Sequence, residues 1–371
     1  MATVAERRFP ADTLRAQVEA ILRAWGMPED ALRTTAEVMV ETDLAGIDSH
    51  GVGMLATYDG MQRAGRLRLD ARPRVARETA STALIDGGAG LGHPTAAAGM
   101  RLAVDKARAH DVGVVSVHNS HHFGAAGYYA AMASDAGLIG VVSTSTRTVA
   151  VVPTNGAERV LGTNPLAFAI PAGRNPPVIL DMSTSVAAAN KVKAYALRGK
   201  DVPAGWVVDA AGAPVTDGRQ ADELLFGGGL RGGLTALGGA GTDLGGHKGY
   251  GLAVVAQILG GTLGGGSFSP IRDRAQRPSD PDNIGHFVMA LNPATFRPLD
   301  EFLADVDAVV DTLRAARPVR EDRPVLIPGD PERAAREDRL ARGIPIPEPL
   351  RAAIRMIAEA AGAPFLLEAE P

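Results

Sequence analysis

Three histidines in the stretch "VHNSHHFGAAGYY" are the first candidates for chemistry. His118, His121 and His122 follow the aliphatic run "VGVVSV" and precede a glycine-containing helix start. If that run is a strand, they lie at its carboxyl end, where open α/β sheets place ligands. The imidazoles could bind a metal ion, transfer a proton or fill an ordinary turn. Zinc needs three converging ligands, whereas adjacent side chains on an extended backbone diverge, which disfavours the metal interpretation.

A fourth histidine, His50, lies in "GIDSHGVGML". The apolar residues Leu55 and Tyr58 predict a helix here. Its cap would be Asp48 or Ser49, which places His50 in the first turn, where free N–H groups and the helix dipole disfavour imidazolium. We therefore expect a neutral His50 that exchanges a proton with a substrate whose carboxylate binds those N–H groups. The alternative is a capping serine beside a surface histidine.

Three further segments carry groups that bind phosphate or ribose. Gly124 in "FGAAG" allows a phosphate to approach the backbone at the following helix start. Asp181 ends the run "PVILD" and precedes the hydroxyls of "STS", and His247 and Lys248 stand between glycines at another helix start. Each signal alone is also typical of a capped helix. Together they predict a nucleotide-sized ligand.

The glycine-rich turn "LIDGGAGLGHPT" resembles the start of a dinucleotide-binding fold but lacks its fingerprint. Gly88, Gly90 and Gly92 give G-x-G-x-G rather than G-x-G-x-x-G, and no acid follows at the expected distance. We assign this turn to structure. The sequence has no Walker-type phosphate loop either.

The composition predicts a globular enzyme that acts on a small molecule. The 371 residues, 46% of them hydrophobic, can form a large core in two or three lobes. A net charge of -4 with interspersed acids and bases gives no basic face for nucleic acid. Without cysteine, disulfides, thiolate zinc sites and thiol nucleophiles are excluded. No apolar signal segment or membrane span is apparent, so we expect a cytoplasmic protein without membrane or nucleic-acid partners.

Helical periodicity at both ends of the sequence frames these candidates. Residues 14–25 predict a helix with Asp12 as its N-cap and Gly26 at its end, and residues 28–44 predict a second one before Gly46. Helical periodicity returns in "LDEFLADVDAVVDTLRAA", and a proline-rich link then leads to the charged helix "RAAREDRLARG". We expect this C-terminal part to pack on the N-terminal helices.

Between these helices the pattern is that of strands separated by alanine-rich helices. The strand candidates are "STALID", "VGVVSV", "LIGVVST", "LAFAIP", "PVILDM" and "GHFVMALNP", and "GWVVDAAGAPVTD" predicts a hairpin. We therefore expect an α/β fold in which residues 81–292 form a mixed sheet covered by helices. Residues 1–80 would form a helical lobe on which a C-terminal helical segment, residues 293–371, packs.

Six segments together resemble one known family. They are "DSHGVGML", "NSHHFGAAGYY", "GTNPLAF", "LDMSTS", "GGHKGYGLA" and "LIPGDPERAAREDRLARGIPI", spanning Ile47 to Ile346. In this order they resemble the second class of malate/L-lactate dehydrogenases, most of all its hydroxycarboxylate dehydrogenase B type. The resemblance implies NAD or NADP bound by a mixed sheet of non-Rossmann type, in a homodimer with the active site near the subunit boundary.

The resemblance also implies roles for individual residues. His50 would be the proton donor or a neighbour of the nicotinamide, and His122 would be the acid/base or substrate-orienting group, with His121 structural. Contacts with the cofactor are implied for Gly124, Ala125, Ala126, Ile179, Leu180, Asp181, Met182, Ser183, His247, Lys248, Gly329 and Asp330. No residue is implied as a metal ligand.

One position departs from the family pattern. Many members carry arginine where Met54 stands, and that arginine pairs with the substrate carboxylate. Methionine cannot do so, but the hydroxycarboxylate dehydrogenase B type has the same "GM". We therefore expect a bulkier or more apolar 2-oxo acid whose side chain meets Met54. Its carboxylate would bind the helix start at Ser49 to Gly51, or Arg147.

The prediction is thus an NAD(P)-dependent dehydrogenase that interconverts a 2-oxo acid and a 2-hydroxy acid by hydride transfer. His50 would supply the proton while His122 polarises the carbonyl, or the two would exchange roles. A metal-dependent hydrolase or lyase that uses His118, His121 and His122 is one alternative. A non-catalytic binding protein that kept the fold is another.

Overall fold

The computed structural model describes residues 6–277 and 279–368. The strands in these ranges are β1 (Glu6–Phe9), β2 (Arg74–Glu78), β3 (Thr82–Gly90), β4 (Val112–Ser120), β5 (Ile139–Thr144), β6 (Leu166–Ile170), β7 (Val178–Met182), β8 (Val207–Val208), β9 (Gly233–Leu234), β10 (Ile284–Leu291) and β11 (Ile344–Pro347). The helices are α1 (Ala11–Ala24), α2 (Glu29–Leu44), α3 (Leu55–Arg63), α4 (Gly92–His110), α5 (Ala126–Asp135), α6 (Ala189–Leu197), α7 (Gly218–Phe226), α8 (Gly246–Gly260), α9 (Ser269–Ala275), α10 (Leu299–Arg314), α11 (Asp330–Arg342) and α12 (Glu348–Ala361).

Seven strands form one mixed sheet in the order β2-β3-β4-β10-β5-β6-β7. β3 and β4 run parallel, and the other neighbouring pairs are antiparallel. Helices α4 and α5 approach the sheet closely because β4 and β5 carry glycines beneath them: a Cβ at Gly113 or Gly140 would collide with the carbonyl of Ala103 or Ala130. The mixed α/β architecture predicted from the sequence is confirmed.

A second hydrophobic core joins the two ends of the described chain. β1 pairs antiparallel with β11, and the buried cluster beneath them combines Leu14 and Ile21 of α1 with Ile354 and Ile357 of α12. Residues from α2 and α3 complete this cluster. The three predicted ranges, 1–80, 81–292 and 293–371, stay predictions, and their residues 1–5 and 369–371 lie outside the described part.

The six strand candidates correspond to β3, β4, β5, β6, β7 and β10. The predicted hairpin in "GWVVDAAGAPVTD" is present only as a turn with an isolated bridge between Val208 and Pro214. Strand β8 pairs instead with β9, which comes from the glycine-rich tract. Although β9 is distant from β8 in sequence, the two strands meet because Val207 and Leu234 are buried in the same third hydrophobic cluster.

The first and third helices begin differently from the prediction. Asp12 lies in the first turn of α1, where Pro10 is the N-cap. The third helix, α3, starts at Leu55 after a 3-10 turn at Val52–Met54, and neither segment has a side-chain cap. Asp48 and Ser49 therefore cap nothing, and His50 precedes the helix instead of lying in its first turn.

The remaining helix boundaries agree more closely. α2 ends at Leu44, and Gly46 follows in the left-handed conformation with φ of 80°. The charged helix α11 begins at Asp330, inside the segment that the sequence suggested was a link, because Gly329 with φ of 99° starts it. Among the described residues, no helix combines the length and apolar character needed to cross a bilayer.

Candidate active site

His50 and His122 face each other although 72 positions separate them in sequence. Their ring centroids are 5.3 Å apart, and the ring planes meet at 31°. His50 lies in the turn before the 3-10 segment, and His122 lies in the loop between β4 and α5; both side chains are half-buried. The structure therefore brings the two predicted catalytic histidines into one cluster.

The hydrogen bonds of His122 determine where its proton lies. Its Nδ1 accepts from the backbone N–H of Gly124 at 3.3 Å and lies 2.7 Å from the hydroxyl of Tyr58. Because a backbone N–H can only donate, Nδ1 is unprotonated and the neutral ring carries its hydrogen on Nε2. His122 thus presents a hydrogen-bond donor at Nε2.

Both imidazoles are held in the neutral form. Burial lowers the pKa of His50. Burial lowers the pKa of His122 well below its usual value, and His50, His93 and His286 add to this effect. His93 is itself fully buried, which lowers its pKa to about 3, and neither of its ring nitrogens has a hydrogen-bond partner among the described residues. The neutrality predicted for His50 is thus supported, but through burial and not through a helix dipole.

The glycine-rich turn before α4 fixes the loop of His122. The backbone N–H of Gly92 donates to the carbonyl of His122 at 3.0 Å. A Cβ on Gly92 would lie 2.2 Å from the carbonyl oxygen of His121 and 2.7 Å from the Cβ of Phe123. The geometry is consistent with the structural role assigned to this turn.

The turn around His50 already holds a buried carboxyl group. The Asp43 carboxylate at the end of α2 accepts the N–H of Val52 at 2.8 Å, and burial raises the pKa of Asp43 to about 7. Ser49 Oγ lies 2.7 Å from His50 Nδ1. Gly51 is the N-cap of the 3-10 turn, and the N–H of Val52 at its start is taken by Asp43. Binding of a substrate carboxylate at Ser49 to Gly51 stays a prediction.

The start of α5 is occupied in the same way. Ala126 begins the helix after Gly124 and Ala125, and the N–H of Gly127 donates to Asp181 Oδ2 at 2.7 Å. Burial raises the pKa of Asp181 to about 6. A carboxylate in this position repels a second anion. This contact disfavours the predicted phosphate site at "FGAAG", which stays a prediction, and the structure brings the two predicted cofactor segments together.

Strand β7 forms one edge of the main sheet and carries Ile179, Leu180 and Met182. Its side chains are all partly exposed. The backbone N–H of Ile179 donates to the carbonyl of Pro328 at 3.1 Å, and a Cβ on Gly329 would lie 3.4 Å from Ile179. The late "PGD" turn therefore lies beside β7, as the predicted shared role requires.

The carboxylate of Asp330 is engaged within the protein. Oδ1 accepts from Arg314 at 2.8 Å and from Arg333, and Oδ2 accepts the N–H of Ile327 at 2.8 Å. These bonds lower the pKa of Asp330 although burial opposes them. The side chain thus stabilises the turn, and Gly329 offers its backbone for a ligand contact.

The remaining candidates connect to this region through Thr184. Ser183 Oγ donates to the carbonyl of Ser185 at 3.3 Å, and Thr184 O accepts the N–H of Leu237 at 3.0 Å. Leu237 packs closely on the first turn of α8, the turn that carries the exposed side chains of His247 and Lys248. This helix has no side-chain cap. The N–H of Lys248 donates to the carbonyl of Gly245 at 2.9 Å, so the exposed ammonium group of Lys248 is the group in this turn best suited to an anion.

The three histidines of the metal hypothesis have separate surroundings. His121 Nε2 donates to the carbonyl of Arg66 at 3.0 Å, and His122 faces Tyr58 and His50, whereas His118 is paired across the sheet with Asp86. Within the described ranges, no group of three or more histidine, aspartate or glutamate side chains is arranged to hold a metal ion. The geometry disfavours the metal-dependent alternative.

Arg147 is oriented by a buried carboxylate. Its Nε donates to Asp282 Oδ1 at 2.8 Å, and Arg66 binds the same oxygen. Oδ2 of Asp282 lies 3.5 Å from Nδ1 of the buried His121. Burial opposes ionisation of Asp282, but His121 and the arginines lower its pKa below the usual range. The half-exposed side chain of Arg147 keeps its two terminal nitrogens for another ligand.

Sequence reasoning missed Asp43, Tyr58, His93 and Asp282. Tyr58 was recognised only as an apolar helix position, and His93 only as part of a structural turn. Asp43 lies at the polar end of a helix, and Asp282 follows a proline-rich loop. The four act through contacts with residues distant in sequence, so local composition gave no signal.

The comparisons with known proteins agree with this architecture. The family model of malate/L-lactate dehydrogenase matches residues 9–355. A malate dehydrogenase of Pyrococcus abyssi is 39% identical over 91% of both chains, and hydroxycarboxylate dehydrogenase B of Escherichia coli is 31% identical over 91% of this chain and 90% of that protein. The structure of malate dehydrogenase from Pyrococcus horikoshii superposes with a TM-score of 0.86 at 35% identity, covering 98% and 99% of the two chains. The chain belongs to the malate/L-lactate dehydrogenase family.

Proposed function

We propose that the protein is a 2-hydroxy acid dehydrogenase that uses NAD or NADP to interconvert a 2-oxo acid and a 2-hydroxy acid. The observation that carries this proposal is the pairing of His50 with His122 at 5.3 Å. Relatives named malate, L-sulfolactate and hydroxycarboxylate dehydrogenases support the reaction class. The substrate is a small 2-hydroxy or 2-oxo acid.

The two histidines take different roles in this proposal. The Nε2–H of neutral His122 donates a hydrogen bond to the carbonyl oxygen and polarises it, a role supported by the acceptor state of Nδ1. His50 exchanges the proton with that oxygen, because its pKa is lowered by burial alone whereas three imidazoles further lower that of His122. Proton transfer of this kind typically contributes about 100- to 10,000-fold to the rate.

Several features of the site are suited to a nicotinamide dinucleotide. Asp181 retains lone pairs that can accept a ribose hydroxyl, and the exposed edge of β7 beside Gly329 offers backbone groups. The uncapped start of α8 with Lys248 suits a phosphate. When bound, the nicotinamide supplies or accepts the hydride. The proposed binding mode differs from the Rossmann one. Two observations support this: the main sheet has one parallel strand pair, and the turn between β3 and α4 lacks G-x-G-x-x-G.

The substrate that suits this site is a 2-oxo acid with an apolar side chain. Met54 is half-buried, packs against the hydrophobic core of the N-terminal helices and lies one helical turn from Tyr58, which contacts His122. We assign the carboxylate of the substrate to Arg147, whose Nε is held by Asp282 and whose terminal nitrogens form the fork that recognises carboxylates. We prefer this assignment to the helix-start alternative because Asp43 already accepts the N–H of Val52 beside that segment.

The functional unit in this proposal is a homodimer. Helix α8 is apolar around most of its circumference, which is typical of a buried helix, yet Val255 and Ile258 are 48% and 50% exposed. Leu263 and Ile271 extend the same apolar surface with 57% and 64% exposure. A second copy of the chain would cover this surface. A location in the cytoplasm stays a prediction from the sequence.

A panel of spectrophotometric assays tests the reaction. The purified protein is mixed with NADH or NADPH and with pyruvate, phenylpyruvate, hydroxypyruvate, oxaloacetate or 2-oxoglutarate, and the absorbance of the reduced cofactor is followed. We expect one cofactor to be oxidised fastest with an apolar acid such as phenylpyruvate. The proposal would be contradicted if the protein reduced none of the 2-oxo acids and, in the reverse direction, oxidised none of the corresponding 2-hydroxy acids.

A further inference from the structure

The turn that carries His50 is fastened at both ends to α2. After it, Asp43 Oδ2 accepts the N–H of Val52 at 2.8 Å. Before it, Arg339 of α11 binds both the Asp48 carboxylate and the backbone carbonyl of Asp43. The backbone on each side of His50 therefore depends on contacts made by one residue at the end of α2.

Asp43 also requires the glycine that follows His50. A Cβ on Gly51 would lie 1.9 Å from Asp43 Oδ1 and 2.2 Å from its carboxyl carbon. The φ of Gly51 is -89°, so a left-handed conformation is not the reason for glycine at this position. The carboxyl group fills the volume that a side chain at position 51 would occupy.

We propose that Asp43 is a positioning residue for His50: its carboxyl group interlocks with Gly51 and binds Val52, and thereby holds the His50 ring against His122. This inference rests on the proposed role of His50. Asp43 is 2% exposed and touches no reacting group, so it acts only through the turn. A side chain in such a position sets the geometry of the catalytic group to within fractions of an ångström.

Asp43 positions the His50 turn through the shape of its carboxyl group and the hydrogen bond that it accepts from Val52, more than through its charge. Burial raises the pKa of Asp43 to about 7, the N–H of Val52 lowers it, and the charged groups that act on it are Asp48 and Arg339. Since Asp48 raises the pKa and Arg339 lowers it, the two largely oppose one another. An uncharged amide of the same shape should therefore replace the carboxyl group.

Four variants test the interlock: Asp43→Asn, Asp43→Ala, Gly51→Ala and the double variant Asp43→Ala/Gly51→Ala. Asp43→Asn retains an oxygen for Val52 and should keep turnover within about 3-fold of the parent. Asp43→Ala and Gly51→Ala should each lower kcat roughly 10-fold or more, with the KM for the cofactor unchanged. In the double variant the added methyl occupies the vacated space, so its kcat should be no lower than that of either single variant.

Thr35→Ala is the matched control. Thr35 is fully buried in α2, and its hydroxyl donates to the carbonyl of Ala31 at 2.9 Å, two turns away from Asp43. The Thr35→Ala variant should have a lower midpoint of thermal unfolding and an unchanged kcat. The imidazole resonances of His50, followed by NMR with isotope-labelled histidine, give a second readout that does not depend on turnover.

The results separate the inference from the proposed function. Displaced His50 resonances and lowered kcat in Asp43→Ala and Gly51→Ala, with no further loss of kcat in the double variant, support the positioning role. Resonances and kcat that match those of Thr35→Ala, or strictly additive losses in the double variant, overturn it. If His50→Gln itself keeps full turnover, the function proposed for His50 fails, while its resonances in the Asp43 variants still report on the interlock.

Discussion

The Tyr58 hydroxyl lies 2.7 Å from Nδ1 of His122, and this contact ties the helix that follows the His50 turn to the loop after β4. Together with the N–H of Gly124, it directs the proton of neutral His122 to Nε2. Tyr58 is fully buried, and burial raises its pKa above the usual value. It therefore acts as a permanent donor and not as an acid in the reaction.

Replacing Tyr58 with phenylalanine should lower kcat without affecting cofactor affinity. The change removes one donor to Nδ1 and frees the ring to adopt the other tautomer. The transition state should then lose roughly 1–2 kcal/mol of stabilisation, which lowers the rate about 10-fold. Steady-state kinetics and a fluorescence titration with the reduced cofactor measure the two quantities. An unchanged kcat would show that Tyr58 does not govern the state of His122.

The pH profiles of the two directions should be opposite. Burial lowers the pKa of His50 below 6.5. Oxidation of the hydroxy acid needs the neutral ring, so kcat/KM should rise through this lowered pKa and level off at neutral pH. Reduction of the oxo acid needs the protonated ring, so its rate should fall as the pH rises above the same pKa. Profiles measured from pH 4 to 9 test this, and a midpoint above 7 would contradict it.

Arg147→Ala should raise the KM for the oxo acid by roughly 10-fold or more while changing kcat little, because it removes a bidentate partner of the substrate carboxylate. The control is Arg277→Ala, since Arg277 pairs with Asp280 in the loop before Asp282. The control should keep both constants. An equal KM in the two variants would remove Arg147 from the site.

Ile258→Lys should convert the proposed dimer to a monomer, because a charge would be buried in the apolar surface of α8. Sedimentation velocity at micromolar concentration measures the association state. Val319→Lys is the control, since Val319 is fully exposed on the loop after α10, outside the apolar surface of α8. A parent protein that sediments as a monomer, or a dimeric Ile258→Lys variant, would disprove the assignment of this interface.

Six of the seven strands of the main sheet could be predicted from the sequence because they contain short apolar runs with distinct boundaries, whereas the exposed strand β2 has no such run. Val115 and Val142, for example, lie in short β-branched runs, whose length and composition favour buried strands. The helices of the N-terminal region were equally visible from their periodicity. These features depend on local sequence.

The side chains that meet the two predicted anion sites could not be predicted from the sequence, because long-range contacts bring them there. The N–H of Val52 is taken by Asp43, nine residues away, and that of Gly127 by Asp181, 54 residues away. Burial raises the pKa of both carboxyl groups. Patterns of glycine and small residues indicate where a helix N-terminus is accessible, but they do not indicate which side chain the fold delivers to it.

The most direct test of the account is the rate of hydride transfer in His50→Gln and His122→Gln. Stopped-flow single turnovers measure the chemical step, and fluorescence measures the affinity for the reduced cofactor. If the paired imidazoles handle the proton and polarise the carbonyl, the transfer rate falls about 100- to 10,000-fold in each variant while cofactor affinity stays within about 3-fold. Hydride transfer at the parental rate in both variants would contradict the central claim.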